Sequence, residues 1–295
     1  MKLNSFNSKI ILLVTAIIWG LAFVAQRAGM EHISPFAYNG IRFALGSLSL
    51  FPLIIWNKKR QPAIKNKIKQ RGILVRAGFL TGIFLFLGSS FQQIGLVYTT
   101  AGNAGFITSL YVILVPIFGI FWKQKVNMQT WIGIILAFAG LYFLSIKEGL
   151  SLMLGDGLVF ISAFFFAGHV LIIGKYAPKI NVLYLSFIQF MIASLLSIII
   201  SIIFETTTLQ DVRLAIIPIL YGGIMSVGVA YTLQVLGQKN VLPSHAAIIL
   251  SLESLFAAAG GILILHEVIT VRIILGGILM LTGVIFSQTN VFKKN

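Results

Sequence analysis

Phe91 to Val126 reads FQQIGLVYTTAGNAGFITSLYVILVPIFGIFWKQKV, and Leu233 to Val268 reads LQVLGQKNVLPSHAAIILSLESLFAAAGGILILHEV. Laid over one another at one constant shift, they pair Gln92 with Gln234, Gly95 with Gly237, Ala104 with Ala246, Ser109 with Ser251 and Gly119 with Gly261. Farther upstream, a slightly different shift pairs Arg42 and Phe43 with Gln189 and Phe190, and Ser47 with Ser194. The second half of the chain repeats the first, which divides it into 1–150 and 151–295.

What repeats is membrane-spanning. The 295 residues are 58% hydrophobic and 10% charged, with a mean hydropathy of +0.99, whereas a soluble domain carries roughly 25% charged residues. A helix needs about 20 apolar residues to cross a hydrocarbon core of about 30 Å. The apolar runs are Ile10 to Ala28, Pro35 to Trp56, Ile73 to Val97, Ala104 to Trp122, Met128 to Ile146, Gly157 to Tyr176, Val182 to Phe204, Leu214 to Leu236, Ser244 to Leu265 and Ile269 to Gln288. The expected fold is an all-α integral membrane protein of ten transmembrane helices, five per copy, with no separate soluble domain. The first run follows Lys2 and Lys9 as a signal peptide would, but its counterpart in the second half makes it a span.

An odd number of crossings makes the second copy enter the membrane from the side opposite the first, so the repeats are expected to be inverted about an axis in the membrane plane. Loop charges test this independently. With the N-terminus inside, Lys2, Lys9, Lys58, Lys59, Arg60, Lys65, Lys67, Lys69, Arg71, Arg76, Lys123, Lys125, Lys175, Lys179, Lys239, Lys293 and Lys294 fall on the inner face; Arg27, Lys147, Arg213 and Arg272 fall outside, and Arg42 within a span. Glu31, Glu148, Asp156, Glu205, Asp211 and Glu267 fall outside, and Glu253 within a span. The positive-inside rule then puts both termini in the cytoplasm. Equivalent loops exchange sign as inversion requires: the basic loop after the second span matches ETTTLQDVR after the seventh, and the turn holding Glu31 matches the basic GKYAPKI.

The net charge of +15 lies in loops beside an anionic leaflet rather than on one folded face, so it does not point to nucleic acid. The absence of cysteine removes disulfides, thiolate metal sites and cysteine nucleophiles. No Gly-x-x-x-x-Gly-Lys-[Ser/Thr] loop is present for ATP, and His266-Glu267 lacks the spaced second histidine of a zinc helix. A catalytic set needs a nucleophile, a base and an orienting group, and Glu253 alone offers itself; the chain does not read as an enzyme and calls for no metal or cofactor.

AIIWGLAFVAQRAG, SPFAYNGIRFALGSLSLFPL, FQQIGLVYTTAGNAGFITSLYVILVPIFG and SLESLFAAAGGILILHE together resemble the EamA-type permeases of the drug/metabolite transporter superfamily over essentially the whole chain. The resemblance implies two inverted five-helix repeats, a bacterial inner-membrane location, and export or exchange of small metabolites such as amino acids. The family's Leu-Glu-Pro run closing with Gly-Glu maps onto Glu253 and Glu267, with Ser254 in place of the proline and His266 in place of the glycine. Lys125 stands opposite Glu267 in the first copy.

An ionised side chain in a span interior costs about 2.5 to 3.5 kcal/mol on insertion scales and persists where it faces a cavity or a partner. Glu253, mid-way along the ninth span, and Arg42, about two turns into the second, are the two cases; their repeat partners Tyr111 and Gln189 are uncharged. Glu253 and Arg42 are expected to line a central cavity and bind the amine and carboxylate of a zwitterion, or Glu253 takes up a coupling proton; the alternative is a structural ion pair or Arg42 reaching the headgroups. Gln92, Gln93 and Gln234 either hydrogen-bond a substrate or join helices. Trp19, Tyr38, Asn39, Tyr111 and Tyr231 suit a mixed polar and aromatic pocket, and His169 and His245 are candidate proton carriers.

The expected activity is secondary, ATP-independent transport of a small metabolite by alternating access, in the direction of export by resemblance. The competing readings are uptake or exchange of a host metabolite, and a channel or scaffold. The expected partners are a small-molecule substrate and the lipid bilayer, with the protein a monomer or weak homodimer. Gly133 and Gly140 match Gly276 and Gly283 at a spacing that returns to one helix face, where small residues let backbones approach closely. Pro116 and Pro218 interrupt backbone hydrogen bonding in the fourth and eighth spans.

Overall fold

The computed structural model describes residues 4–58, 67–124, 126–145, 154–265 and 270–288, with backbone alone for a few residues at helix ends. Lys2, Lys59, Arg60, Lys65, Lys125, Lys147, Glu148, His266, Glu267, Lys293 and Lys294 lie outside the described residues. Everything regular among the described residues is helical. The elements are α1 (Ser5–Gly29), α2 (Pro35–Lys58), α3 (Lys67–Val97), α4 (Ala101–Ser109), α5 (Tyr111–Phe121), α6 (Met128–Ser145), α7 (Leu154–Tyr176), α8 (Val182–Phe204), α9 (Leu209–Leu214), α10 (Ile216–Leu220), a π-helical segment (Tyr221–Tyr231), α11 (Thr232–Gly237), α12 (Pro243–Leu250), α13 (Glu253–Leu265) and α14 (Val271–Gln288).

Eight helical stretches among the described residues are long and apolar enough to cross a membrane, and Met128–Leu144 is a shorter apolar helix. Three of the spans expected as single helices are interrupted. The fourth breaks at Leu110, between α4 and α5, and the ninth at Ser251 and Leu252, between α12 and α13. The eighth passes through an 11-residue π-helix, a wider winding that is rare and concentrates at functional sites. Its glycines sit tight against α2: a Cβ on Gly222 would lie 2.6 Å from Tyr38 Oη, and one on Gly223 2.7 Å from Leu45 Cβ. α9 lies outside the span, closed by reciprocal hydrogen bonds between Thr208 and Asp211. The Asp211 carboxyl is held below the usual carboxylate range by the backbone N–H and hydroxyl of Thr208.

Contacts among the described residues gather helix ends at two opposite faces of the bundle. At one end Thr99 Oγ1 donates to Asp156, and the Glu205 carboxylate accepts from the backbone N–H groups of Phe36 at 3.0 Å and Ala37 at 2.9 Å. At the other end Asn240 Nδ2 donates to Ser8 Oγ at 3.1 Å, and Thr130 Oγ1 lies 3.0 Å from His245 Nε2. The first end carries Glu31, Asp156, Glu205 and Asp211 together with Arg27, Arg213 and Arg272, the second Lys9, Lys123, Lys175, Lys179 and Lys239.

Glu205 works as an N-cap supplied by another helix. It satisfies two of the orphan donors at the start of α2 and places negative charge at the positive end of its dipole. Glu205→Ala is expected to cost about 1 kcal/mol, the usual value of a cap, read as a lowered unfolding temperature in detergent with transport per folded molecule unchanged.

α6 and α14 pack against each other along most of their length through the paired glycines. A Cβ on Gly140 would lie 2.6 Å from the Gly276 carbonyl oxygen, and one on Gly276 2.7 Å from that of Gly140. Gly133 and Gly283 stand in the same relation, at 2.8 Å and 2.6 Å. The contact is crossed: Gly133 touches the counterpart of Gly140, and Gly140 the counterpart of Gly133. The other helices surround a core that includes Leu12, Phe43, Leu85, Phe190, Val227 and Leu250. α3 packs on α7 and α8, and α1 and α2 on the π segment.

Candidate functional site

Where the interrupted spans meet in the interior, one cavity collects Trp19, Phe23, Gln26, Arg42, Gln92, Thr108, Tyr111, Phe166, His169, Val170, Ser226, Tyr231, Gln234, Leu250 and Glu253. At the scale of a water molecule its volume is about 40 Å³.

The break between α12 and α13 places Glu253 in the first turn of α13, and the break at Leu110 places Tyr111 in the first turn of α5. These two residues, paired by the sequence overlay, touch: Tyr111 Oη donates to Glu253 Oε1 at 3.0 Å. Ser109 Oγ lies 3.3 Å from the same oxygen and 2.7 Å from Ser254 Oγ, which donates to the Gly105 carbonyl at 2.8 Å. Both hydrogen bonds to Glu253 use Oε1, and Oε2 has none among the described residues. Glu253 is 3% exposed.

Arg42 is 2% exposed, and no carboxylate among the described residues pairs with it. Nε donates to Asn39 Oδ1 at 2.9 Å and Nη1 to Gln26 Oε1 at 3.0 Å. The guanidinium carbon lies 5.3 Å from the centre of the Tyr38 ring and 5.0 Å from that of Phe43. The cradle is itself held: Asn39 Nδ2 donates to the Ser89 carbonyl at 3.1 Å, Gln93 Nε2 to the Gln26 carbonyl at 3.3 Å, and Tyr38 Oη to the Pro218 carbonyl at 3.1 Å. A buried cation without a counter-ion is costly, yet amide oxygens and aromatic faces hold it in place with Nη2 left free. Arg42 and Glu253 share the cavity and do not pair with each other.

Of the residues expected from sequence, Arg42, Glu253, Gln92, Gln234, Trp19, Tyr111, Tyr231 and His169 line the cavity together. Tyr38, Asn39 and Gln93 stand behind it as supports for Arg42 and Gln26. His245 is elsewhere, at the start of α12 beside Thr130. Trp19 Nε1 donates to the Ser226 carbonyl in the π segment at 3.3 Å, and its ring centre lies 4.6 Å from that of Tyr231. His169 Nε2 lies 2.9 Å from Gln189 Oε1, and the imidazole meets the Tyr231 ring edge-on at 5.9 Å.

Sequence reasoning passed over Gln26, Thr108 and Ser109. Gln26 carried a readable signal: a carboxamide one turn inside an apolar helix, four residues after Ala22, to whose carbonyl it donates at 3.2 Å. The hydroxyl residues carried none, since serine and threonine are ordinary in membrane helices, where they can bond to the preceding turn.

The sequence profile of the EamA-like transporter family matches the chain twice, over residues 8–146 and 153–289. An uncharacterized transporter of Archaeoglobus fulgidus is 34% identical over 281 residues, covering 95% of this chain and 85% of its own length. The uncharacterized transporter YoaV of Bacillus subtilis is 26% identical over 291 residues, covering 94% of this chain and 95% of its own. A protein known from a crystal structure superposes with a TM-score of 0.77 over 96% of both chains at 15% identity, a likeness of fold.

Proposed function

The chain belongs to the EamA-like transporter family, and from that premise we propose that it is a secondary carrier moving a small polar metabolite, an amino acid or a relative, by alternating access. The observation that carries this reading is one interior cavity lined by both Arg42 and Glu253, neither with a counter-ion among the described residues. A solute bearing a carboxylate complements the free edge of Arg42, and an ammonium or a coupling proton complements Glu253 Oε2.

The proposed architecture is ten crossings in two inverted copies, 1–150 and 151–295. Three features support it: the family profile matches twice, Tyr111 and Glu253 meet as equivalent residues, and the crossed glycine contact is the self-complementary pattern that a two-fold axis produces. Inversion gives a carrier its cycle, because exchanging the conformations of the two copies turns an outward-facing state into an inward-facing one. The basic end faces the cytoplasm of a bacterial inner membrane, and export is the working direction.

Counterflow in proteoliposomes tests the reading, using a panel of labelled amino acids and small carboxylates. A carrier loaded with unlabelled solute accelerates entry of the labelled form. Conduction without such trans-stimulation would replace the carrier with a channel, and inactivity towards every compound would remove this substrate class.

A further inference from the structure

Thr108 and Leu250 are counterparts, since the shift that pairs Gln92 with Gln234 pairs them as well. In the first half Gln92 Nε2 donates to Thr108 Oγ1 at 2.9 Å. In the second half the carboxamide of Gln234 has leucine where its counterpart has a hydroxyl. Gln234 is 1% exposed, its side chain makes no hydrogen bond with any described residue, and its Oε1 is fully enclosed. Gln234 and Leu250 both line the cavity. A buried carboxamide without partners is destabilising, and one threonine at position 250, already present in the other repeat, would relieve it.

We propose that Gln234 is a specificity-determining residue whose carboxamide is completed by the transported solute, and that Leu250 keeps it free to do so. A carboxamide presents an acceptor and two donors in one plane, so its complement is a solute with a hydrogen-bond donor and acceptor side by side: a carboxylic acid, a primary amide or an amino acid. Arg42 and Glu253 bring charge to the cavity, and Gln234 adds a test that charge alone does not make. A site built to hydrogen-bond its ligand rejects an isostere lacking those groups, because its own polar atoms are then left unpaired. The proposal rests on the carrier reading and deepens it.

Two variants of the full-length protein test it. Leu250→Thr offers Gln234 the hydroxyl that Thr108 gives Gln92, and Gln234→Met removes the carboxamide at nearly constant volume. The probes are the proteinogenic L-amino acids with small carboxylic acids and primary amides. They are read first as a ligand-induced rise in unfolding temperature in detergent, then as KM and kcat for counterflow of the most stabilising compound. Both variants are expected to unfold at or above the wild-type temperature without ligand, and to raise KM by about 10-fold with a smaller change in kcat, as loss of a buried neutral hydrogen bond to a ligand implies. Unchanged KM in Gln234→Met overturns the proposal, as does a stabilised Leu250→Thr with wild-type KM; should Leu250→Thr not fold, Gln234→Met decides alone. A wild type that no compound stabilises and through which none exchanges brings down the carrier reading as well, whereas a wild-type response untouched by either variant overturns this proposal only.

Discussion

Arg42→Met is expected to lower counterflow of a carboxylate-bearing substrate by about 100-fold or more while shifting the unfolding temperature by no more than a few degrees. Truncating one side of a buried, hydrogen-bonded charge pair costs about 2 to 5 kcal/mol, and each 1.4 kcal/mol is about tenfold. If the carboxylate of the substrate is the anion that Arg42 lacks in the protein, transport bears that whole loss. Stability does not, because two effects oppose. The variant strands Gln26 Oε1 and Asn39 Oδ1, at about 1 to 3 kcal/mol each, but it also removes an uncompensated cation whose burial costs several kcal/mol. Counterflow and thermal unfolding measured on one preparation separate the cases. Full transport would take Arg42 out of contact with the substrate, and collapse of both readouts would make it a structural residue.

Glu253→Gln is expected to abolish accumulation driven by a pH gradient and to leave counterflow largely intact. Glutamine keeps an oxygen in the place of Oε1, so the donors Tyr111 and Ser109 retain their acceptor and the junction of the two helix breaks keeps its shape. What the variant loses is the capacity to bind and release a proton. Accumulation in proteoliposomes with an imposed pH gradient, compared with exchange at equal pH, reads the two capacities separately. Unchanged pH-driven accumulation would remove Glu253 from coupling, and loss of exchange as well would make it part of the substrate site.

The charged residues of the cavity were legible because charge in an apolar span has few tolerable places: Arg42 and Glu253 stood out in sequence and both line it. The sequence shift that pairs Tyr111 with Glu253 brought the two residues together on paper, although pairing them in sequence did not say that they touch. Which polar side chains support and which face the interior was not legible. Asn39 and Arg42 are one turn apart on α2, and only the packing of α1, with Gln26, and of α3, with Ser89, decides that one cradles the other. The helix breaks were equally hidden. Leu110, Ser251 and Leu252 include neither proline nor glycine, the residues that usually announce an interruption. Pro218 did announce one, but the π winding lies downstream of it, where Gly222 and Gly223 fit against α2.

The glycine seam between α6 and α14 limits how such chains can be recombined. Each Cα hydrogen at positions 133, 140, 276 and 283 lies against a carbonyl contributed by the opposite half, so neither half can acquire a methyl group there without a concession from the other. A chimera grafting residues 1–150 of this chain onto the latter half of a relative inherits two surfaces cut for different mates. Such hybrids should assemble when both parents keep small residues at all four places, and otherwise be cleared by quality control, however well each parental half folds in its own setting.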